Sequence, residues 1–305
     1  MDQFTPRLGV RPEYPPLRKI VVKSLRPYVR DCVFAVLILA VVKPIDPGRL
    51  GERLCFAIGT ALVHSTALVL LALPLSVCDR FGLLSQYKLP RKPSQLAPPS
   101  LVASLVGEVA VSHLVTTPLA AYLFFPILKA FGMPAFTDVP VNVIKHIVFA
   151  HLCNDLGFYW SHRCLHTRLL YKHVHKKHHA FAATVAPAAE FASIFEVVFS
   201  NILPTVVGCV LVGSHVLVFW TWLFLRLQQT YEVHSGYAFS NTWVETPSAA
   251  TLLLAQPESV IEHDHHHTVN RGTFGALWLD YLCGTMDAFV AAGAYDCLGP
   301  PAAVS

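Results

Sequence analysis

The chain has 305 residues, of which 54% are hydrophobic and only 14% charged, with a mean hydropathy of +0.49. Soluble domains carry roughly 25% charged residues, so this composition excludes an ordinary soluble domain and points to an integral membrane protein whose apolar mass lies partly in lipid. A net charge of +4 is too small to call for a nucleic-acid partner, and none is expected.

Residues 1–31 carry Arg7, Arg11, Arg18, Lys19, Lys23, Arg26 and Arg30 without a long apolar run. They read as a basic cytosolic arm lying on anionic headgroups, and no secretory leader is expected. Val33 to Val42 is apolar but falls short of the roughly 20 residues that a crossing needs. It either extends past Asp31 and Lys43 or is re-entrant. Leu54 to Val77 is long enough to span, with only His64 inside. A proline-rich loop follows, holding Arg80, Lys88, Arg91 and Lys92 against one acid, Asp79. Leu101 to Phe131 is the next span, with Pro118 and Pro126 as kink positions. Val141 to Phe158 is another and runs into the first histidines, so residues 32–158 form the transmembrane block. Phe191 to Leu227 is apolar and broken at Pro204 and at Gly213 to His215, which predicts a membrane-embedded helical hairpin over 191–227. Residues 159–290 make the histidine-rich catalytic region and 291–305 a C-terminal tail. The basic arm, the loop after Val77 and the segment Arg163 to Lys177 all face the cytosol by the positive-inside rule, so the spans pair as hairpins. The predicted fold is therefore all-α: an integral membrane helical protein with transmembrane hairpins and a cytosolic, histidine-rich di-metal cap. The eight cysteines include no CxxC pair and read as reduced, buried thiols.

The histidines carry the chemistry. His162 and His166 form HxxxH; His175, His178 and His179 form HxxHH; His234 lies in "EVHSGYAF"; and His263, His266 and His267 repeat HxxHH inside "HDHHH". On a helix, residues three and four apart share a face, so each motif presents its imidazoles to one side. Nine nitrogens exceed what one ion takes and imply two metal ions. All-nitrogen sites suit zinc, copper, iron or nickel. The absence of a cysteine partner and of an HExxH helix argues against a zinc hydrolase, whereas paired iron suits dioxygen chemistry on an unactivated C–H bond. His64, His113, His146, His151 and His215 are isolated in apolar stretches and read as packing or hydrogen-bonding residues. Asp155, Glu190, Glu232 and Asp264 are the acids expected to orient ligand rings, Asp155 because it lies on the helix face of His162.

With these residues in view, the chain resembles the sterol desaturase and fatty acid hydroxylase superfamily, and within it the carbon-4 methylsterol monooxygenases. The resemblance runs through "QYKLPRKP" at Gln86 to Pro93, "DLGFYWSHRCLHTRLLYKHVHKKHHAF" at Asp155 to Phe181, "AAEFASIFE" at Ala188 to Glu196, "HSGYAF" at His234 to Phe239 and "EHDHHHTVNRGTFGALWLDYLCGTMD" at Glu262 to Asp287. It departs from the family's usual pattern at Thr167, Ser193, Ser240 and Asn241, positions beside the expected pocket rather than ligands. The resemblance implies that His162, His166, His175, His178, His179, His234, His263, His266 and His267 hold a catalytic pair of iron ions, which zinc can replace in purified protein. It implies use of O2, with electrons from NAD(P)H delivered through a reductase and a cytochrome b5-type donor. It further implies the endoplasmic reticulum membrane as location, the site facing the cytosol, a sterol or other lipid as substrate, and other sterol-pathway enzymes as possible associates. A carbon-4 methyl group is the expected target. A sterol side-chain hydroxylase, a sterol desaturase and a fatty acid or sphingolipid hydroxylase share the same ligands. A histidine-rich metal transporter is the alternative from another class, and it would place ligands inside the spans.

Overall fold

The computed structural model describes residues 14–41, 46–133, 136, 142–239 and 257–293. The expectations that rest on Arg7, Arg11, Lys43, Ser240, Asn241 and most of the 291–305 tail lie outside these residues.

The first helix, α1 (Leu17–Val41), starts well inside the expected arm and runs through Pro27. The apolar run after Asp31 reaches helical length by extending toward the N-terminus. What the composition could not reveal is that Arg30 and Asp31 are buried. Arg30 pairs with Asp31 (3.1 Å) and Glu232 (3.3 Å), while Asp31 also accepts from Gln229 (2.8 Å) and lies 3.1 Å from His151 Nδ1. The charged turn of α1 is thus a docking surface for two other helices, which differs from an arm lying on headgroups. Burying these charges is tolerable because they compensate one another within the packed helices.

Three helices among the described residues are long and apolar enough to cross a membrane: α2 (Glu52–Phe81), α3 (Pro93–Ala130) and α5 (Ile194–Leu211). At about 1.5 Å per residue, even the shortest approaches the roughly 30 Å of a bilayer's hydrocarbon core. Their outward faces carry exposed Leu62, Leu70, Val106, Leu114, Phe199 and Leu211, and such a belt belongs in lipid rather than water. The fourth expected span falls on α4 (Val143–Leu165), which is not among the three. Lys145, His151 and Asp155 interrupt its apolar run, and one face of its middle, at Ile147, Ala150, His151 and Asn154, is buried against protein while Val148, Leu152 and Leu156 stay exposed. The apolar stretch after Phe191 breaks at Gly213 as expected, giving α5 and α6 (Val216–His234), where His215 caps α6 by accepting from the Leu217 N–H. Pro204 does not break α5. It sits at the first turn after a π-turn, Val197–Ile202, where its missing N–H costs little. α2 and α3 carry π-turns of their own at Leu68–Ala72 and Ser112–Thr116.

Close approach of small residues binds the bundle. A Cβ on Gly208 of α5 would lie 2.6 Å from the Ala150 Cα of α4, so only glycine lets these backbones meet. α2 packs on Trp220 of α6, whose indole N–H donates to Thr60 (3.0 Å). Phe56, Phe125, Phe219 and Trp222 complete the main core. The remaining helices, α7 (Pro257–Val269), α8 (Leu277–Leu282) and α9 (Asp287–Ala291), follow at one end. The basic loop reaches the same end. Leu89 N donates to Gly236 O (2.9 Å), Ala238 N to Tyr87 O (2.9 Å), and Lys88 Nζ to Ser235 O (2.8 Å). Gly236 takes φ +67°, and a Cβ there would meet Arg91 Nη2 at 2.5 Å, so the Gly of HSGY is what lets this loop close. The seven cysteines among the described residues are free thiols.

Candidate metal centre

Four short pieces of chain bring the histidines together. His162 lies in the last turn of α4, and His166 caps that helix. The chain then leaves regular α geometry: His175 ends a π-turn at Tyr171–His175, and His178 and His179 begin a 3-10 turn. His234 ends α6, and His263, His266 and His267 lie on α7. The chain between 171 and 180 thus runs through π and 3-10 turns, and π-turns are frequent at functional sites.

The nine imidazoles fall into two groups. His162, His166, His175, His179 and His266 converge in one; His178, His234, His263 and His267 converge in the other, with one donor atom per residue within 4.8 Å of the rest. Each HxxHH motif therefore serves both groups rather than gripping one ion. His178 leaves the group of its neighbours His175 and His179, and His266 crosses to the group opposite His263 and His267. His173 is exposed and joins neither.

The nitrogens meet closely. In the first group, His175 Nε2 lies 3.1 Å from His162 Nε2, 3.0 Å from His166 Nε2 and 3.0 Å from His179 Nε2. In the second, His234 Nε2 is 3.2 Å from His178 Nε2 and 2.9 Å from His263 Nε2, which is 3.1 Å from His267 Nε2. The opposite ring nitrogens fix the tautomers. His162 Nδ1 donates to Phe274 O (2.6 Å), His266 Nδ1 to Gly272 O (2.6 Å), His267 Nδ1 to Phe181 O (3.2 Å) and His234 Nδ1 to Thr230 O (2.8 Å). A neutral imidazole has one N–H, so each of these four rings turns a lone pair inward. His234 and His267 both direct lone pairs toward His263, which has one proton to share at most. A cation at the centre of each group resolves the conflict, and all-nitrogen donors fit a borderline transition ion.

Electrostatics favours the same state. Seven of the nine rings are buried, His179 and His263 being half-buried. Burial first, and neighbouring rings after it, hold all nine below the ordinary imidazole range. His162 and His234 fall to about 3, because backbone hydrogen bonds partly offset the burial. The neutral form, the one able to bind a metal, is thus favoured near neutral pH. A cavity of about 160 Å³ touches both groups at His162, His175, His178, His234 and His263.

Comparison with known proteins agrees with this geometry. The profile of the fatty acid hydroxylase family matches residues 147–285, a stretch that contains all nine histidines. A very-long-chain aldehyde decarbonylase of Oryza sativa subsp. indica is 33% identical over 245 residues, covering 78% of this chain and 88% of that protein. Methylsterol monooxygenase 2-2 of Arabidopsis thaliana is 30% identical over 235 residues, covering 75% and 84%. A putative methylsterol monooxygenase of Dictyostelium discoideum is 31% identical over 245 residues, covering 78% and 86%. The chain belongs to the sterol desaturase and fatty acid hydroxylase superfamily. No solved structure matches it. As a superfamily member it is a membrane oxidoreductase of the oxygenase type, with histidine groups able to hold metal. The decarbonylases were not among the relatives that the motifs suggested.

The acids around the site of this superfamily member differ from those expected. Asp155 accepts from Tyr28 (2.7 Å) and Trp278 (3.0 Å) and lies 3.6 Å from His151 Nε2. It shares the cavity with His162 but sets the seat of α1. Glu232 pairs with Arg30 of α1. Asp264 pairs with Arg91 (2.5 Å) and accepts from Thr184 (3.3 Å), closing the basic loop onto α7. Glu190 turns to His113 and Tyr231. The reason is common to all four: closeness along the chain says nothing of the helices that pack from elsewhere. Among the described residues, one acid that does reach a cluster ring is Glu196, with Oε1 2.9 Å from His175 Nδ1, at an angle short of a full hydrogen bond. Asp280 acts one step further out. It accepts from Phe274 N (2.9 Å), Gly275 N (3.1 Å) and Thr285 Oγ1 (2.5 Å), and so fixes the turn whose carbonyl holds His162. Burial raises the Asp280 carboxyl to about 6. Both residues stand in stretches that resemble the family, but only packing gives them a role.

Proposed function

We propose that this chain is a membrane-bound, non-haem di-iron oxygenase that hydroxylates a sterol, oxidising a methyl group at carbon 4. The observation that carries the reading is the division of nine imidazoles, seven of them buried, into two adjoining groups inside the region that matches the family. His162, His166, His175, His179 and His266 would hold one iron, and His178, His234, His263 and His267 the other. When bound, an iron pair supplies the redox chemistry that activates O2 toward an unactivated C–H bond. The protein's part is positioning. Carbonyls of Phe274, Gly272, Phe181 and Thr230 keep four rings in the tautomer that donates inward, and Glu196 supports a fifth. Burial keeps bulk water from the centre. In this reading electrons come from NAD(P)H through a reductase and a cytochrome b5-type donor, and the site faces the cytosol at the endoplasmic reticulum.

The names of the methylsterol monooxygenases support the sterol assignment. Those of the very-long-chain aldehyde decarbonylases, at similar identity, favour a second reading in which the same centre acts on a long-chain acyl aldehyde. Turnover separates them. Membranes holding the chain are given O2 and NAD(P)H with 4,4-dimethyl, 4-methyl or methyl-free sterols, or with a long-chain aldehyde. Oxidation of only the two methylated sterols is expected. Conversion of the aldehyde alone, or of the methyl-free sterol alone, overturns the carbon-4 assignment.

A further inference from the structure

A third group of potential ligands lies apart from the nine histidines. His64 of α2, His113 of α3 and Glu190 of the 186–190 turn bring one donor atom each within 4.8 Å of one another. Two isolated histidines in apolar helices suggest packing residues, yet the structure stacks their rings with centroids 4.1 Å apart against one carboxylate. His113 Nε2 lies 3.0 Å from Glu190 Oε1 and His64 Nε2 lies 3.9 Å from the same oxygen. The far nitrogens are engaged elsewhere: His113 Nδ1 is 3.1 Å from Ser65 Oγ, and His64 Nδ1 is 3.3 Å from Thr117 Oγ1. Hydroxyls thus hold both rings so that their Nε2 atoms face inward, the support that metal-bound imidazoles ordinarily have. Tyr231 also donates to Glu190 Oε1, while the buried Oε2 has no hydrogen-bond partner.

The geometry points to a third cation site, in which His64, His113 and Glu190 hold one divalent transition ion of the zinc or ferrous class. A carboxylate between membrane helices is costly unless its charge is met. One divalent ion meets it and takes both Nε2 lone pairs. Ligand distances of about 2.0–2.2 Å to such an ion place donor atoms a little over 3 Å apart, so His113 Nε2 and Glu190 Oε1 already stand near that spacing, while His64 Nε2, 3.9 Å from Glu190 Oε1, closes as its ring tilts out of the stack on His113 to aim at the same ion. The ion would clasp α2 and α3 to the turn before α5. It would also sit beside Tyr231, one helical turn from His234 on α6. This site does not depend on the substrate or on the reaction assigned to the nine histidines.

The test counts ions. The full-length chain is purified in detergent, stripped with chelator, reloaded with Zn2+, desalted and analysed for zinc per chain. Wild-type protein is expected to hold three ions, and His113→Gln and Glu190→Gln two each, with helicity unchanged. His64→Gln provides the reading if Glu190→Gln does not fold. His178→Ala, in the second nine-histidine group, is expected to lose an ion independently, so His178→Ala with His113→Gln loses two. Co2+ loading adds a spectroscopic readout: part of the visible d–d absorption is expected to vanish in His113→Gln. Equal zinc content in wild type, His113→Gln and His64→Gln overturns the third site and leaves the nine-histidine centre standing. Loss confined to His178→Ala does the same.

Discussion

Asp280→Asn tests whether the metal centre is oriented by the turn beside it. The carboxylate accepts Phe274 N–H and Thr285 O–H at Oδ1 and Gly275 N–H at Oδ2. An asparagine keeps its oxygen where two donors converge, so its NH2 faces Gly275 N–H. One buried donor is left unpaired, at about 1–3 kcal/mol. The larger consequence lies one bond away, because the Phe274 carbonyl fixes the His162 tautomer. Loosening such an outer contact lowers metal affinity by about 10–100-fold. The assay pairs thermal unfolding of the stripped protein with metal titration of the reloaded protein. A lower unfolding temperature together with weakened binding of one ion, the other unaffected, is expected. A variant that unfolds earlier yet binds both ions as tightly as wild type refutes the orienting role of this turn.

Glu196→Gln is expected to weaken the ion of the first group by about 10-fold or more, because the His175 ring loses the carboxyl group whose Oε1 lies 2.9 Å from its Nδ1; competitive titration against a chelator measures it. Gly208→Val forces a side chain into the Ala150 backbone, and overpacking of this kind costs about 1–3 kcal/mol or more. Its unfolding temperature in detergent should fall, and an unchanged value would mean that α4 and α5 do not approach so closely. Metal-free protein should lose stability on acidification. His162 and His234 sit near 3 when folded against about 6.5 unfolded, so between those values the unfolded chain binds more protons and stability falls with pH. Each contributes a loss of about 2 kcal/mol between pH 6.5 and 5. Melting curves at these two pH values, with His234→Gln showing the smaller drop, check the sign.

Much of this was legible in the sequence. The spacing of His162, His166 and the two HxxHH motifs singled out the nine rings that the structure brings together, because the i, i+4 relations survive folding. Long apolar runs gave α2, α3 and α5. What stayed hidden depends on contacts between distant segments. The carbonyls of Phe274, Gly272, Phe181 and Thr230 belong to every residue alike and leave no mark in a sequence. Glu190 and Glu232 lie close along the chain to His179 and His234, but other helices claim them. Val141 to Phe158 read as a span because its polar residues are few, and only the packed structure shows that Asp155 and His151 face protein. The division of each HxxHH between two groups was equally invisible: the second motif splits inside the regular helix α7, so the division depends on which rings arrive from other segments.

That division ties the fate of one ion to the other. On α7, a single inserted residue between His263 and His266 would swing everything beyond it by about 100° around the axis. His266 would leave the first ion and His267 the second in the same stroke. The two groups therefore share one stretch of backbone, and a half-loaded protein would have that backbone already set for the missing partner.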